Sequence, residues 1–326
     1  MIFSLRESRA RSAWLRASLQ PATLFGGMLI VACWIGLTLV LSIERTKTLE
    51  NATQKSAALA RLFEDYIVRA LQGIDQTLLL LREAYEKDPE HFDLPRLTEQ
   101  AHITHGLTFQ VALLGPDGLV RATTVGDVTQ PLYFGDREHF QAQATAKTDE
   151  LFISKPVVGR ASGKLSIQLT RRLRLPDGGF GGVILASLDP AFVDKFAQTV
   201  DIGPHGTVTV RGTDGIIRAS SGYAAPAIGR YVMQDALKAA LAHAPVGHFW
   251  GGGAVDGMNR LVGYQLLNEF RQIVSVGLAD VDIFADYERD RTVYTLVAAA
   301  ITLLVVPSPF SSSTRKLIRL AFGAMP

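Results

Sequence analysis

Apolar and polar positions alternate with very different rhythms along this chain, and two stretches carry almost no charge at all. The first, ATLFGGMLIVACWIGLTLVLSI at residues 22–43, offers 22 residues without a charged side chain. At about 1.5 Å per residue that is enough to cross a hydrocarbon core of about 30 Å. The second, residues 292–310, is shorter and ends in Pro307 and Pro309, so its apolar part is only just long enough to span. Both are expected to be transmembrane helices. A cleaved signal peptide is the competing reading of the first, but the apolar run is longer than a signal-peptide core and no small-residue cleavage pattern follows it. A buried core helix is the competing reading of the second. Arg6, Arg9, Arg11 and Arg16 precede the first span, and Arg315, Lys316 and Arg319 follow the second. The excess of positive charge therefore places residues 1–21 and 311–326 in the cytoplasm and the roughly 250 residues between the spans outside.

Beyond the first span, Leu59, Leu62, Phe63, Tyr66, Ile67, Ala70, Leu71, Ile74, Leu78 and Leu81 recur at three- and four-residue steps, which predicts one amphipathic helix from about residue 44 to 87. At about 60 Å it is longer than one domain core needs, and it is expected to stand up from the membrane and pack along a partner. From Thr108 the rhythm changes to short alternating apolar runs separated by turn residues. Two of these units repeat: residues 111–124 and 208–221 each carry an Asp-Gly turn (Asp117-Gly118, Asp214-Gly215) followed by Arg-Ala (Arg121-Ala122, Arg218-Ala219). Each copy leads into a short helix candidate, residues 137–147 and 233–243, and then into strands ending in GGVILASLD or RQIVSVGLAD. A connecting helix is expected at DPAFVDKFAQTVDI. The fold class is α+β: a stalk helix over residues 44–90 and two tandem α/β modules, 91–190 and 191–291.

A net charge of +2 gives no sign of nucleic-acid binding. The one cysteine, Cys33, lies inside the first span, so the exported region has no internal disulfide and depends on packing.

Four segments give the chain a recognisable likeness: YFGDREHF (133–140), LFISKPVVGRASGKLSIQLTRRL (151–173), GGVILASLDPAFV (181–193) and RQIVSVGLA (271–279). With the flanking spans, the sequence resembles the double Cache sensor domains of bacterial receptors over residues 22–310, in particular those heading diguanylate cyclases and sensor histidine kinases. The resemblance implies a membrane-distal and a membrane-proximal PAS-like module, each an antiparallel sheet with flanking helices, the distal one usually holding the ligand. It also implies a cytoplasmic output domain. The sequence ends 16 residues after Phe310 without one, so the expectation is a relative that is truncated or frameshifted, or one that signals through a cytoplasmic partner.

The residues expected to form the ligand site cluster in the first module. Arg137 offers a planar fork for a carboxylate at the start of a helix, next to Asp136. Lys164, Ser166 and Gln168 alternate along a strand and would converge if that face lines the cavity. Ser154 precedes Pro156, Tyr133 and Phe140 would supply an aromatic wall, and Asp189 would receive an amine. Against this stand plain structural roles: Arg137 paired with Asp136 or Glu138, Lys164 and Gln168 in solvent, Asp189 capping a helix. Arg160, Arg171 and Arg172 are weaker anion candidates, since a basic run often marks a solvated strand edge.

Other chemistry finds little support. GRASGKL (159–165) is one residue short of a phosphate loop and has Leu165 where the hydroxyl belongs. His102 and His105 have ligand spacing but no completing thiol or carboxylate cluster, so no metal or other cofactor is expected. No catalytic triad, GxSxG elbow or HExxH motif occurs. The expected function is that of a non-enzymatic inner-membrane receptor, homodimeric, that senses a small organic acid or amino acid and transmits the event as a helix displacement. The rivals are a cyclase or kinase that has lost its catalytic domain, and an envelope interaction module.

Overall fold

The computed structural model describes residues 21–100, 107–125, 131–253 and 256–305; the termini expected in the cytoplasm, His102 and His105, and the end of the second apolar stretch lie outside them. Helix α1 runs without interruption over Pro21–Lys87, 67 residues and about 100 Å. The expected first span and stalk are thus one helix. Its only proline, Pro21, sits in the first turn, where a missing N–H costs nothing. Pro89 ends it by pushing Asp88 out of the helical region.

The chain divides into two compact units, residues 52–282 and residues 1–51 with 283–326. In the latter, the N-terminal part of α1 meets the last helix, Ala285–Val305. Trp34 Nε1 donates to Thr302 Oγ1 at 3.1 Å, and a Cβ on Gly26 would stand 3.2 Å from a Val305 methyl. Leu24, Phe25, Met28, Leu39, Leu303 and Leu304 point outward, uncovered by protein. Among the described residues α1 alone is long and apolar enough to cross a membrane. The expected second span does not meet that standard: its helix opens with Asp286, Glu288, Arg289, Asp290 and Arg291 and is described only to Val305.

The 52–282 unit holds two five-stranded antiparallel sheets. The first comprises β1 (Thr108–Leu114), β2 (Val120–Thr123), β3 (Phe152–Val158), β4 (Leu165–Arg174) and β5 (Phe180–Leu188) in the order β2-β1-β5-β4-β3. The second comprises β6 (Thr207–Gly212), β7 (Ile217–Gly222), β8 (Val246–Gly252), β9 (Asn259–Leu267) and β10 (Gln272–Ala279) in the equivalent order β7-β6-β10-β9-β8. The sequence repeat is therefore a structural one, and its motif has a mechanical reason. Gly118 and Gly215 adopt φ of 79° and 81°, conformations that a side chain rarely takes. Asp117 and Asp214 accept the N–H of Leu119 and Ile216, and Arg121 and Arg218 reach back to those same carboxylates at 2.7 Å. Short helices follow each copy, Glu138–Ala144 and Asp235–His243, with Phe192–Ala197 linking the modules.

Both sheets lean on α1. Ala52, Ser56, Leu59, Ala60, Phe63, Ile67, Leu71, Ile74, Leu78 and Leu81 are all buried, the stripe the three-and-four spacing predicts. A Cβ on Gly263 of β9 would lie 2.6 Å from the Ser56 carbonyl oxygen, so strand and helix touch almost backbone to backbone. Phe63 and Tyr66 pack on Phe196 of the linking helix at ring distances of 5.0 and 4.0 Å. Further along, Asp75 receives two hydrogen bonds from Arg171 of β4, at 2.7 and 2.6 Å. The apolar face expected to meet a partner chain is thus occupied by the chain's own modules, because two successive sheets supply enough apolar surface to cover some thirty residues of helix.

The burial contrast on α1 gives a direct test. Phe63→Ala, at a fully buried position, is expected to cost about 3–5 kcal/mol, whereas Leu62→Ala, 40% exposed one residue earlier, should stay within about 1 kcal/mol. Denaturant unfolding of the two variants checks both figures.

Candidate functional site

Side chains alternate across a strand, and on one face of the first sheet this brings Gln110, Ala112 and Leu114 of β1 beside Leu185 and Ser187 of β5 and Gln168 of β4. A backbone bridge from Leu119 to Tyr133 folds the segment before the Glu138 helix over that face. Leu132, Phe134, Arg137 and His139 close the resulting cavity on one side, Val158 and Arg160 on another. Its inner end is a sealed apolar cluster of Ala112, Leu114, Val120, Phe140, Val183 and Leu185. The polar groups gather at the other end.

Charge pairing decides what this cavity can bind. Asp136 takes two hydrogen bonds from Arg160, at 2.7 and 2.6 Å, which hold its carboxyl at about 2. Glu138 is paired with Lys155 at 3.1 Å. The two carboxylates adjacent in sequence to Arg137 are therefore taken by other cations. Arg137 itself donates only weakly to the Val158 carbonyl, at 3.4 Å, its buried Nε has no partner, and among the described residues no carboxylate lies within ion-pair distance. Next to it His139 is buried, with an unpartnered Nε2. Desolvation, reinforced by the Arg137 charge, lowers its pKa to about 4, so the imidazole is neutral at physiological pH.

The expected site residues separate into groups. Arg137 and Gln168 line the cavity. Ser166 stands behind Gln168 and accepts from its amide at 2.8 Å, while Ser187 donates to the same amide's oxygen at 2.9 Å. Asp136 and Tyr133 sit at the rim: Asp136 orients Arg160, and the Tyr133 carbonyl accepts from Arg160. Phe140 belongs to the apolar cluster and packs edge to face on Phe180 at 5.5 Å. Ser154 lies elsewhere: β3 bulges between Ile153 and Pro156, and the Ser154 hydroxyl receives the Gln168 N–H that the interrupted ladder would leave unmet. Lys164 precedes β4 and is exposed, away from the face that Ser166 and Gln168 share. Asp189 accepts the Ala191 N–H at 2.9 Å, closing the turn out of β5.

Gln110, Phe134, His139 and Ser187 line the cavity without having been singled out. Ser187 and His139 lie within the motifs already quoted, and the period of two along β5 would have found Ser187. Arg171 and Arg172 are structural. Arg171 is bound to Asp75, and Arg172 donates to the Ala146 carbonyl and stacks over Phe180 at 5.2 Å.

A larger polar cleft of about 490 Å³ opens between the two sheets. Two of its three arginines, Arg171 and Arg218, already hold Asp75 and Asp214, and its Asp149 is shared by Arg82, Arg171 and Arg174. An anion at Arg171 or Arg218 would have to displace an existing carboxylate, and the remaining arginine of the cleft, Arg271, is exposed to solvent. The first-module cavity offers a cation without that cost.

Residues 191–277 match the dCache_1_like family, described as a histidine kinase sensor domain. Among solved structures, the extracellular domain of histidine kinase rpHK1S-Z16 shares the fold with a TM-score of 0.64 at 22% identity, covering 71% of this chain and 96% of that one. The ligand-binding domain of the Pseudomonas fluorescens chemoreceptor CtaA, in complex with L-isoleucine, gives 0.55 at 16% identity over 74% and 98%. That of the Pseudomonas aeruginosa PAO1 amino acid chemoreceptor PctB, in complex with L-Gln, gives 0.54 at 16% identity over 74% and 98%. No curated protein matches the sequence.

His139 makes the site sensitive to acid. Its folded-state pKa of about 4 lies below the ordinary 6.5, so the unfolded chain binds the proton more readily between those values, and stability falls as pH drops through that window. A loss of about 3 kcal/mol is expected by pH 4. It should be largely removed in His139→Leu, measured as unfolding free energy against pH.

Proposed function

We propose that this double Cache sensor region is the extracytoplasmic half of a membrane-anchored bacterial receptor and that its first module binds a small amino acid or organic acid through Arg137. The observation that carries the reading is the unmatched guanidinium: Arg137 borders a cavity with a partnerless buried Nε while Asp136 and Glu138 are held by Arg160 and Lys155. A ligand carboxylate would supply the missing anion, and a charge-assisted bidentate pair with arginine is among the stronger contacts a small ligand can make. Gln168, steadied by Ser166 and Ser187, would contact the ligand's remaining polar groups. Neutral His139 leaves Arg137 the principal charge on that wall. The amino acids bound by the CtaA and PctB domains favour the same ligand class.

As it stands the cavity measures about 20 Å³, room for about one water. An amino acid therefore enters only if the wall of Leu132, Phe134 and Val158 moves outward and closes again, which gives ligand-free and ligand-bound states a structural difference. Transmission would use α1, because Asp75 and the buried stripe tie the modules to a helix that continues into the apolar segment. A second span beginning near residue 292 is part of this proposal. The Trp34 to Thr302 hydrogen bond and the close approach at Gly26 are what support it. Dimerisation, and a cytoplasmic signalling partner, belong to the same reading.

A thermal-shift screen of the full chain in detergent, against the twenty amino acids and a set of carboxylates larger than pyruvate, tests it. A ligand at a hundredfold its Kd is expected to add about 2.7 kcal/mol of stability, and Arg137→Ala should abolish the response. No hit in either set, or a hit that survives Arg137→Ala, contradicts the reading.

A further inference from the structure

The second sheet carries a cavity equivalent in position to that of the first, and its polarity is reversed where the first is most apolar. Leu114 and Arg211 each precede the glycine that opens the Asp-Gly turn, so they occupy the same place in the two copies. The strand registers then match Ala112 with Thr209 and Leu185 with Ser275, since Ala112 faces Leu185 and Thr209 faces Ser275. Three apolar positions of one module are thus an arginine and two hydroxyls in the other.

Arg211 is only 7% exposed. Its Nη1 donates to the Val232 carbonyl and its Nη2 to Thr209 Oγ1, both at 2.8 Å. Its Nε is buried without a partner, as is the Ser275 hydroxyl. The other buried arginines of this sheet, Arg218 and Arg260, each hold a carboxylate, Asp214 and Asp256. Arg211 has no carboxylate within ion-pair distance among the described residues. Burial alone draws its pKa down to about 10, still well above neutrality, so a full positive charge sits in the interior with no negative one against it. Such a charge is strongly disfavoured unless something compensates it. Beside it lies a cavity of about 60 Å³ that Thr209, Arg211, Gln234, Phe249 and Ser275 help to line. That is space for a few water-sized groups.

We infer that this cavity is a second ligand site, for a small carboxylate of the size of acetate or pyruvate, held by the Arg211 guanidinium with Ser275 and Thr209. The carboxylate takes the free Nε–H and the Ser275 O–H, two buried donors of this lining that have no partner. Phe249 leaves space for at most a short apolar tail. The site is separate from the Arg137 cavity, on the other sheet.

The test is the thermal shift of the full chain in detergent with sodium acetate and sodium pyruvate, against sodium chloride at equal ionic strength. The account expects a dose-dependent rise over chloride for the unaltered protein and for Arg137→Ala, about tenfold weaker apparent affinity in Ser275→Ala, and no rise in Arg211→Leu. Should Arg211→Leu fail to fold, Ser275→Val keeps the charge, fills the cavity and must likewise lose the response. No rise over chloride, a rise that survives Arg211→Leu or Ser275→Val, or one that disappears in Arg137→Ala overturns the inference. Because Arg137→Ala is predicted to remove the amino acid response and leave this one, failure of either site is read separately.

Discussion

A guanidinium withdrawn from water needs an anion, and the way carboxylates are shared among arginines organises the whole sensor region. Arg171 finds Asp75 and fastens the first sheet to α1. Arg121 and Arg218 find Asp117 and Asp214 and lock the two equivalent turns. Arg260 finds Asp256, and Arg160 finds Asp136. Two cations with a buried, partnerless Nε at a cavity are left out of this scheme, Arg137 in the first module and Arg211 in the second. Each of these two unmatched guanidinium groups borders a cavity.

The second organising feature is the helix. Its inner face is covered from Ala52 to Leu81 by both sheets and by Phe192 and Phe196 between them. Contacts at Gly263 and at Arg171 sit about nineteen residues apart along α1, at Ser56 and Asp75, or about 28 Å. A change in either module acts on the same rigid rod. Packed interiors switch between discrete arrangements rather than deform smoothly, so a closing cavity in the first module would reach α1 as a displacement of its contacts.

Much of this was legible in the sequence, for reasons that can be given residue by residue. The three-and-four spacing from Leu59 to Leu81 located the helix and its end at Lys87, since no proline interrupts it. The repeated Asp-Gly followed by Arg-Ala marked the two sheets because its Asp, Gly and Arg each have a separate mechanical task in the turn. Arg137 stood out through its place before a helix, where the structure has it. What was hidden depends on neighbours distant in sequence. The bulge at Pro156 turns Ser154 to backbone service, and β4 starts too late to bring Lys164 onto the cavity face. Asp189 closes a turn. Arg211 reads in the sequence as an ordinary strand arginine, and only the fold over it by Val232 and Gln234 shows that it is interior. Likewise, the stripe on α1 does not reveal whether another chain or the chain's own modules cover it.

The claim that Arg137 is available because Arg160 occupies Asp136 is tested most directly by comparing Arg160→Gln with the double variant Asp136→Asn, Arg160→Gln, by calorimetric titration with whichever amino acid or carboxylate stabilises the unaltered protein. Freed from Arg160, Asp136 is predicted to turn to Arg137 and weaken binding by about tenfold or more, and neutralising Asp136 in the double variant is predicted to restore most of it. Unchanged affinity in Arg160→Gln, or a double variant that stays as weak as the single one, would contradict the account.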